Sequence, residues 1–160
     1  MTYHTPLPVP AHKLPDFPCH VAITLRLADA QRDLLVRHIR LLRDCVALSK
    51  RRWDFVIQAA AVLPAEMHLL CAFGGGHHDA RGAIRLVTST FDRHVSDHCA
   101  SVWSDTCEVI EVSSRVAQLL RSFVEAAPVR AGLVSNVCDW PYSSAHMDTA
   151  QSDDMGVAMA

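Results

Sequence analysis

Residues 53–73, WDFVIQAAAVLPAEMHLLCAF, contain two apolar runs separated by a proline. Proline lacks the backbone N–H that an interior strand position needs, so Pro64 marks a turn between two elements. Apolar and β-branched residues on both sides of it predict strands over residues 53–62 and 67–73. The two strands therefore form a β-hairpin, and the flanking elements decide which kind of sheet it joins.

The sequence before the hairpin predicts a strand followed by a helix. In residues 20–27, HVAITLRL, large apolar residues occupy alternate positions, which is the period of a strand with one buried face. Over residues 30–49 the intervals change to three and four, which predicts a helix. Its buried stripe contains Leu35, Ile39, Leu42 and Val46.

The sequence after the hairpin predicts a helix, a strand and another helix. Asp79 is the expected N-cap of the first helix, whose inward residues are Ile84, Val87, Phe91 and Val95. Residues 107–112 read as a short strand. Ser113 or Ser114 is expected to cap the last helix, which ends before Pro128. Its expected inward face contains Val116, Leu119, Leu120 and Phe123.

The order β-α-β-β-α-β followed by a helix predicts an α+β ferredoxin-like sandwich with a C-terminal helix and extension. One such domain is expected over residues 19–146. Residues 1–18 hold five of the eight prolines and are expected to form a mobile arm. Residues 147–160 are expected to be a disordered tail.

Composition limits the classes of function. Half of the residues are apolar and a fifth are charged, as in globular proteins, and no apolar run approaches the ~20 residues of a membrane helix. The N-terminal residues lack the basic and apolar regions of a signal peptide, so we expect a cytoplasmic protein without a membrane partner. Six cysteines without a CxxC pair indicate reduced thiols. The net charge of −2 provides no overall attraction to nucleic acid, so DNA binding would need a local patch.

The first predicted helix and its exit supply such a patch. Six cations lie there, namely Arg37, Arg40, Arg43, Lys50, Arg51 and Arg52. They form either a solvated helix face or a surface that contacts DNA phosphates. Arg130, beyond the last helix, is a further candidate DNA contact, and Trp140 and Tyr142 offer either stacking surfaces or packing anchors.

Glu66 and His68 are two residues apart on a predicted strand, so their side chains share a face. The pair is either a metal-binding pair or a solvent-facing or mutually hydrogen-bonded pair on a strand. His94 and His98 have helical zinc-binding spacing, or else belong to a solvated helix face. His77 and His78 form either a polar turn or a loop that contacts DNA.

Two segments resemble the REP-associated tyrosine transposases of the HUH class of single-strand DNA transposases. In VLPAEMHLL (residues 62–70) a proline precedes the strand on which the family carries His-hydrophobic-His. FVEAAPVRAGLVSNVCDWPYSSAH (residues 123–146) resembles the family segment Tyr-Ile-x-x-Asn-Pro-Val-(Arg/Lys)-x-Gly-Leu-Val, followed by Asp-Trp-Pro-aromatic-Ser-Ser. The resemblance covers roughly residues 20–146 and implies the same ferredoxin-like fold.

The resemblance also implies a chemistry. Two strand histidines and a polar helix residue hold a divalent metal ion, and a helix tyrosine attacks a DNA phosphate. This chain has Glu66 in place of the first histidine, Phe123 in place of the nucleophile and Ala127 in place of the third ligand. Only His68 is retained, and phenylalanine is not a nucleophile. Magnesium or manganese is the metal that Glu66 and His68 would select.

Three hypotheses follow. The first is a transposase-like protein that binds single-stranded or hairpin DNA without tyrosine-dependent cleavage, as a monomer and with no small-molecule substrate. The second is an active metal-dependent nuclease or transposase that uses Glu66 and His68, with water or another nucleophile. Tyr3 and Tyr142 are the only tyrosines, and neither is predicted on the helix that carries Phe123. The third is a decaying remnant without a biochemical role.

Overall fold

The computed structural model describes residues 18–95 and 100–146, so the predicted arm (except Pro18) and tail lie outside the described residues. Its strands and helices, in chain order, are β1 (Cys19–Arg26), α1 (Leu34–Arg37), α2 (Ile39–Arg52), β2 (Phe55–Val62), β3 (Glu66–Phe73), α3 (His77–Val95), β4 (Glu108–Val112), α4 (Ser114–Glu125) and α5 (Ala127–Arg130). Within the described residues, no helix is long and apolar enough to cross a membrane.

The four strands form one sheet in the order β2-β3-β1-β4, and all three strand pairs are antiparallel. Helices α2 and α3 lie together on one face, and α4 packs on the other face across β2, β3 and β1. This arrangement confirms the predicted α+β ferredoxin-like sandwich with an added C-terminal helix.

The larger core lies between the sheet and the α2–α3 layer. Alternate residues of β1 (Val21, Ile23 and Leu25) enter it, as the period of two predicts. Phe91 of α3 also belongs to this core and is 0% exposed. The centroid of its ring lies 5.4 Å from the centroid of the Trp103 ring. The predicted strands and the buried stripe of α3 are therefore confirmed.

The smaller core lies under α4 and consists mostly of small residues. Ala117 and Val124 of α4 face Ala59 and Ala61 of β2, and all four are buried. Alanine side chains let a helix approach a sheet closely, and Leu63 and Leu70 are the large apolar side chains buried in this core.

The prediction about which side of α4 is buried is therefore wrong. Val116, Leu119 and Phe123 are 41%, 73% and 57% exposed, and only Leu120 of the predicted inward face packs partly against the core. The apolar spacing located a stripe on the helix, but the sheet contacts the neighbouring stripe of small residues. Phe123 is a surface residue and does not pack in the core.

The first predicted helix begins later than expected and is broken. The side-chain carboxylate of Asp29 accepts a hydrogen bond from the backbone N–H of Gln31 at 3.0 Å. Residues 29–32 therefore form a turn. Helix α1 ends at Arg37, and His38 (φ −109°, ψ 37°) separates it from α2. The break leaves the cations of residues 37–52 on two helical segments.

Asp79 is not the N-cap of α3, because the helix begins two residues earlier, at His77. Its carboxylate instead folds over the preceding turn, where a Cβ on Gly75 would lie 1.7 Å from Asp79 Oδ2. A side chain at position 75 would thus displace Asp79 from the first turn, where a carboxylate favours the helix dipole.

The cysteines of the described residues form no disulfide bonds with one another. Cys45 and Cys71 are buried, and burial raises the pKa of the Cys71 thiol to about 12, so it stays protonated at neutral pH. Both therefore act as small apolar groups. Cys99 lies outside the described residues.

Ser113 caps α4, as one of the two predicted alternatives. Its hydroxyl oxygen accepts a hydrogen bond from the backbone N–H of Val116 at 3.3 Å. We expect Ser113→Ala to lower the free energy of unfolding by about 1 kcal/mol, because the N–H loses its partner. Urea denaturation measures this loss, and Ser114→Ala, one residue inside the same helix, should change stability by less than half as much. Equal effects would exclude capping as the cause.

Candidate functional site

Glu66 and His68 extend from β3 toward the face of the sheet that carries α4. His68 donates a hydrogen bond from Nε2 to Glu66 Oε2 at 3.1 Å. The hydroxyl oxygen of Thr24, on β1, lies 3.5 Å from His68 Nδ1. The Thr24 hydroxyl can either donate to or accept from this ring nitrogen. Glu66 and His68 are thus hydrogen-bonded to each other.

Arg26 brings a cation to the same cluster. Its guanidinium lies 3.6 Å from a carboxylate oxygen of Glu66 on β3 and 3.6 Å from one of Glu108 on β4. Arg26 pairs with Glu66 in the strand register, which places these side chains side by side. The negative charge of Glu66 is thus balanced by a side chain of the protein itself.

The described residues do not fit the divalent metal that the resemblance implies. They contain no group of three His, Cys, Asp or Glu side chains that could hold a metal ion. Ala127, at the third-ligand position, has no donor atom and is 3% exposed in the smaller core. Glu66 and His68 already bond to each other, and two ligands from one strand hold a metal weakly.

Phe123 lies on one flank of α4, and Gln118 and Arg121 lie on the other. Gln118 and Arg121 line a cavity of about 250 Å³ together with His20 and Gln58. In a helix of 3.6 residues per turn, Phe123 is on the far side of the axis from both. Its side chain is 57% exposed and has no atom able to attack a phosphate.

Arg130 of α5 contacts Phe123. Its guanidinium carbon lies 3.7 Å from the centre of the phenyl ring, in cation–π geometry, and its Nη1 donates to the Phe123 carbonyl oxygen. Because α5 begins directly after the last turn of α4, Arg130 folds back over the helix end.

All six candidate cations of α1 and α2 are exposed, but they do not form one uniform surface. Arg43 and Lys50 border an apolar groove of about 470 Å³ between α2 and the outer edge of β2. Arg51 borders a different groove, with Asp44 and residues of α3. Arg37 is paired with Asp33 at 3.0 Å, and Arg52 lies 5.0 Å from the centre of the Trp53 ring.

The C-terminal extension is anchored on the outer edge of β2. Trp140 donates from its indole nitrogen to the Val62 carbonyl at 2.8 Å, and the Val62 N–H donates to the Tyr142 carbonyl at 2.8 Å. Ser144 accepts from the Ala60 N–H at 3.1 Å. Trp140 is thus a packing anchor, and Tyr142 lies on the strand edge instead of on α4. Tyr3 is outside the described residues.

The remaining histidine candidates are accounted for separately. His77 and His78 belong to the first turn of α3 instead of a loop, and His77 Nε2 lies 3.2 Å from the Val109 carbonyl oxygen. His94 Nδ1 lies 2.8 Å from the Thr90 carbonyl oxygen. His98, its predicted partner, is outside the described residues.

Sequence reasoning missed Thr24, Arg26 and Glu108 as members of the polar cluster. A signal for two of them was present, because Thr24 and Arg26 occupy the alternate positions of β1 opposite its apolar face. A partly polar second face on a central strand indicates a second functional or packed surface. The pairing with β4, which brings Glu108 to Arg26, was not available from the pattern.

Comparison with models of protein families finds no match. The REP-associated tyrosine transposase of Escherichia coli K12 is 28% identical over 131 residues, which cover 80% of this chain and 77% of that protein. A solved structure of a REP-associated tyrosine transposase bound to a REP hairpin superposes with a TM-score of 0.76, at 24% identity, covering 85% of this chain and 82% of that one. The resemblance seen in the two sequence segments is confirmed: by sequence and by fold, this chain is similar to the REP-associated tyrosine transposases.

Proposed function

We propose that this protein binds single-stranded or hairpin DNA as a transposase-like protein and does not cleave it through a tyrosine. The observation that carries the proposal is Phe123 on α4. Phe123 stands where the resemblance places the nucleophile, and its side chain is 57% exposed on α4. A phenyl ring has no oxygen to form a phosphodiester link, so strand transfer by the family route stops at this residue.

The binding half of the proposal is supported by similarity and by charge. A solved structure with the same fold carries a REP hairpin. In this chain Arg40, Arg43 and Lys50 are exposed on α2, where they are available to phosphate oxygens. Phosphate contacts supply most of the affinity of such complexes, and they need no metal ion at the Glu66–His68 pair.

Native and denaturing gels of one binding reaction test both halves. Labelled single-stranded, hairpin and fully duplex DNA of equal length are incubated with the protein, with manganese or with EDTA. We expect a shift of the first two substrates on the native gel and intact DNA on the denaturing gel. EDTA should leave the shift unchanged, because contacts of Arg40, Arg43 and Lys50 with phosphates need no metal ion.

Other outcomes would replace the proposal. A covalent band, or cleavage that requires manganese and is lost in His68→Ala, would establish the active enzyme. Absence of a shift with every DNA at low salt would favour a remnant without a binding role. An equal shift with all three substrates would reduce the function to non-specific DNA binding.

A further inference from the structure

We propose that Phe123, backed by Arg130, is a stacking platform for an unpaired base of bound DNA. The proposal rests on the proposed function, which it deepens by naming the part of the nucleic acid that contacts α4. In this reading the position that carries the nucleophile in the family has become a binding position.

The geometry leaves one face of the Phe123 ring free. The residue is 57% exposed although it lies one helical turn from Ala127, which is buried. Arg130 covers a ring face at 3.7 Å from guanidinium carbon to ring centre. The opposite face is therefore available, and an aromatic ring with one free face accepts any base, since every base has a π-face.

The pair is held in place by the backbone. Arg130 donates to the Phe123 carbonyl oxygen, and α5 is closed by a turn in which Gly132 has φ +76° and Leu133 N–H donates to the Pro128 carbonyl at 3.0 Å. Because this turn fixes Arg130, the stack exists before a ligand arrives. A preformed platform loses little conformational entropy on binding.

The charge of Arg130 selects the kind of occupant. Within the described residues no carboxylate forms an ion pair with its guanidinium, whereas Arg26 pairs with two carboxylates and Arg37 and Arg121 with one each. An exposed apolar ring beside an uncompensated cation matches a nucleotide, which carries a flat apolar base linked to a negative phosphate. A second copy of this chain would have to bury roughly 800 Å² per partner, far more than the short exposed strip of Val116, Leu119 and Phe123.

Substitution of Phe123 tests the platform. We expect Phe123→Ala to weaken single-stranded DNA binding by about 5- to 100-fold, while Phe123→Trp, which stacks, stays within about threefold of the wild type. A 2-aminopurine base in the DNA should lose fluorescence on binding to the wild type and regain it with Phe123→Ala. The matched control is Val56→Ala, which truncates an exposed apolar residue away from α4, on β2. This variant should bind DNA as the wild type does.

Salt dependence separates the two members of the pair. Phe123→Ala should leave the slope of log affinity against log salt unchanged, whereas Arg130→Gln should reduce it by about 0.7 for the loss of one phosphate contact on a single strand. Any weak binding of duplex DNA, whose bases are stacked internally, should be the same for Phe123→Ala as for the wild type.

The outcomes distinguish this inference from the proposed function. If the wild type binds single-stranded DNA and Phe123→Ala binds it equally well, the platform is refuted and the proposed function stands. If the wild type binds no DNA, the proposed function fails and the platform fails with it. If Phe123→Ala lowers the sedimentation coefficient of the free protein, the ring contacts a second copy and the inference is wrong.

Discussion

Charge reversal of Arg40, Arg43 and Lys50 to glutamate should weaken DNA binding by about 100-fold or more at low salt. The three side chains are exposed on α2 and form no ion pair with a described residue, so their charge is free to interact with phosphates. Arg37 is left unchanged because Asp33 already pairs with it at 3.0 Å. Fluorescence anisotropy across a salt series measures the effect.

The salt series also counts the contacts. Neutral glutamine substitutions at the same three positions should reduce the slope of log affinity against log salt by about 2, at ~0.7 per single-strand phosphate. The matched control reverses Arg81, Arg85 and Arg93, three exposed arginines of α3, which changes the net charge equally. If both triple variants lose the same affinity, the net charge and not the surface of α2 governs binding, and the assignment of this surface is refuted.

Phe91→Ala should lower the free energy of unfolding by about 3–5 kcal/mol, the largest single-residue effect on stability that we expect. The ring is 0% exposed and contacts Trp103 at 5.4 Å and His38 at 6.4 Å between ring centres. Its removal leaves a cavity where α3 meets both the break between α1 and α2 and the loop before β4. Chemical denaturation monitored by tryptophan fluorescence measures the loss.

Two further variants show whether the loss of stability in Phe91→Ala comes from the removal of a buried ring. Leu48→Ala removes an apolar side chain that is 42% exposed on α2 and should cost well under half as much. Phe91→Leu keeps most of the volume and should recover much of the stability. A loss below 1 kcal/mol in Phe91→Ala would mean that the surrounding chains collapse into the space, so that this corner of the core is not rigidly packed.

The fold was predictable because strand and helix periods dictate it directly. Residues 20–27 and the hairpin around Pro64 have the alternation that a half-buried sheet requires, and the pairing β2-β3 follows from their short connection. The break at His38 was not predictable, since the apolar stripe continues through it at helical spacing. At His38 the backbone leaves the helical conformation (φ −109°, ψ 37°) without a proline or glycine that would signal the break.

The face of α4 was predicted wrongly for a different physical reason. Periodicity counts large apolar residues, and on α4 these are Val116, Leu119 and Phe123, which solvent reaches. The strand β2 beneath the helix presents Ala59 and Ala61, so small residues of α4 give the closest contact there. The sequence pattern of one helix carries no information about the shape of the sheet surface against which the helix packs.

The candidate site, too, was predictable from the sequence only in part. Strand alternation correctly placed Glu66 and His68 on one face and left open whether they bind a metal or each other. Their actual state depends on Arg26 and Thr24 of β1, and on Glu108 of β4, which pairing across the sheet brings together. Ionic partners that are 40 residues or more apart in the chain leave no local pattern.

The pairing of residues 142–144 with β2 has a consequence for the behaviour of the protein in solution. An unpaired outer strand offers a row of N–H and C=O groups to which another chain can add, which is a common beginning of aggregation. Here the Tyr142 carbonyl and the Ser144 hydroxyl occupy the outward groups of Val62 and Ala60. The extension thereby protects one margin of the sheet and favours solubility, whether or not nucleic acid is present.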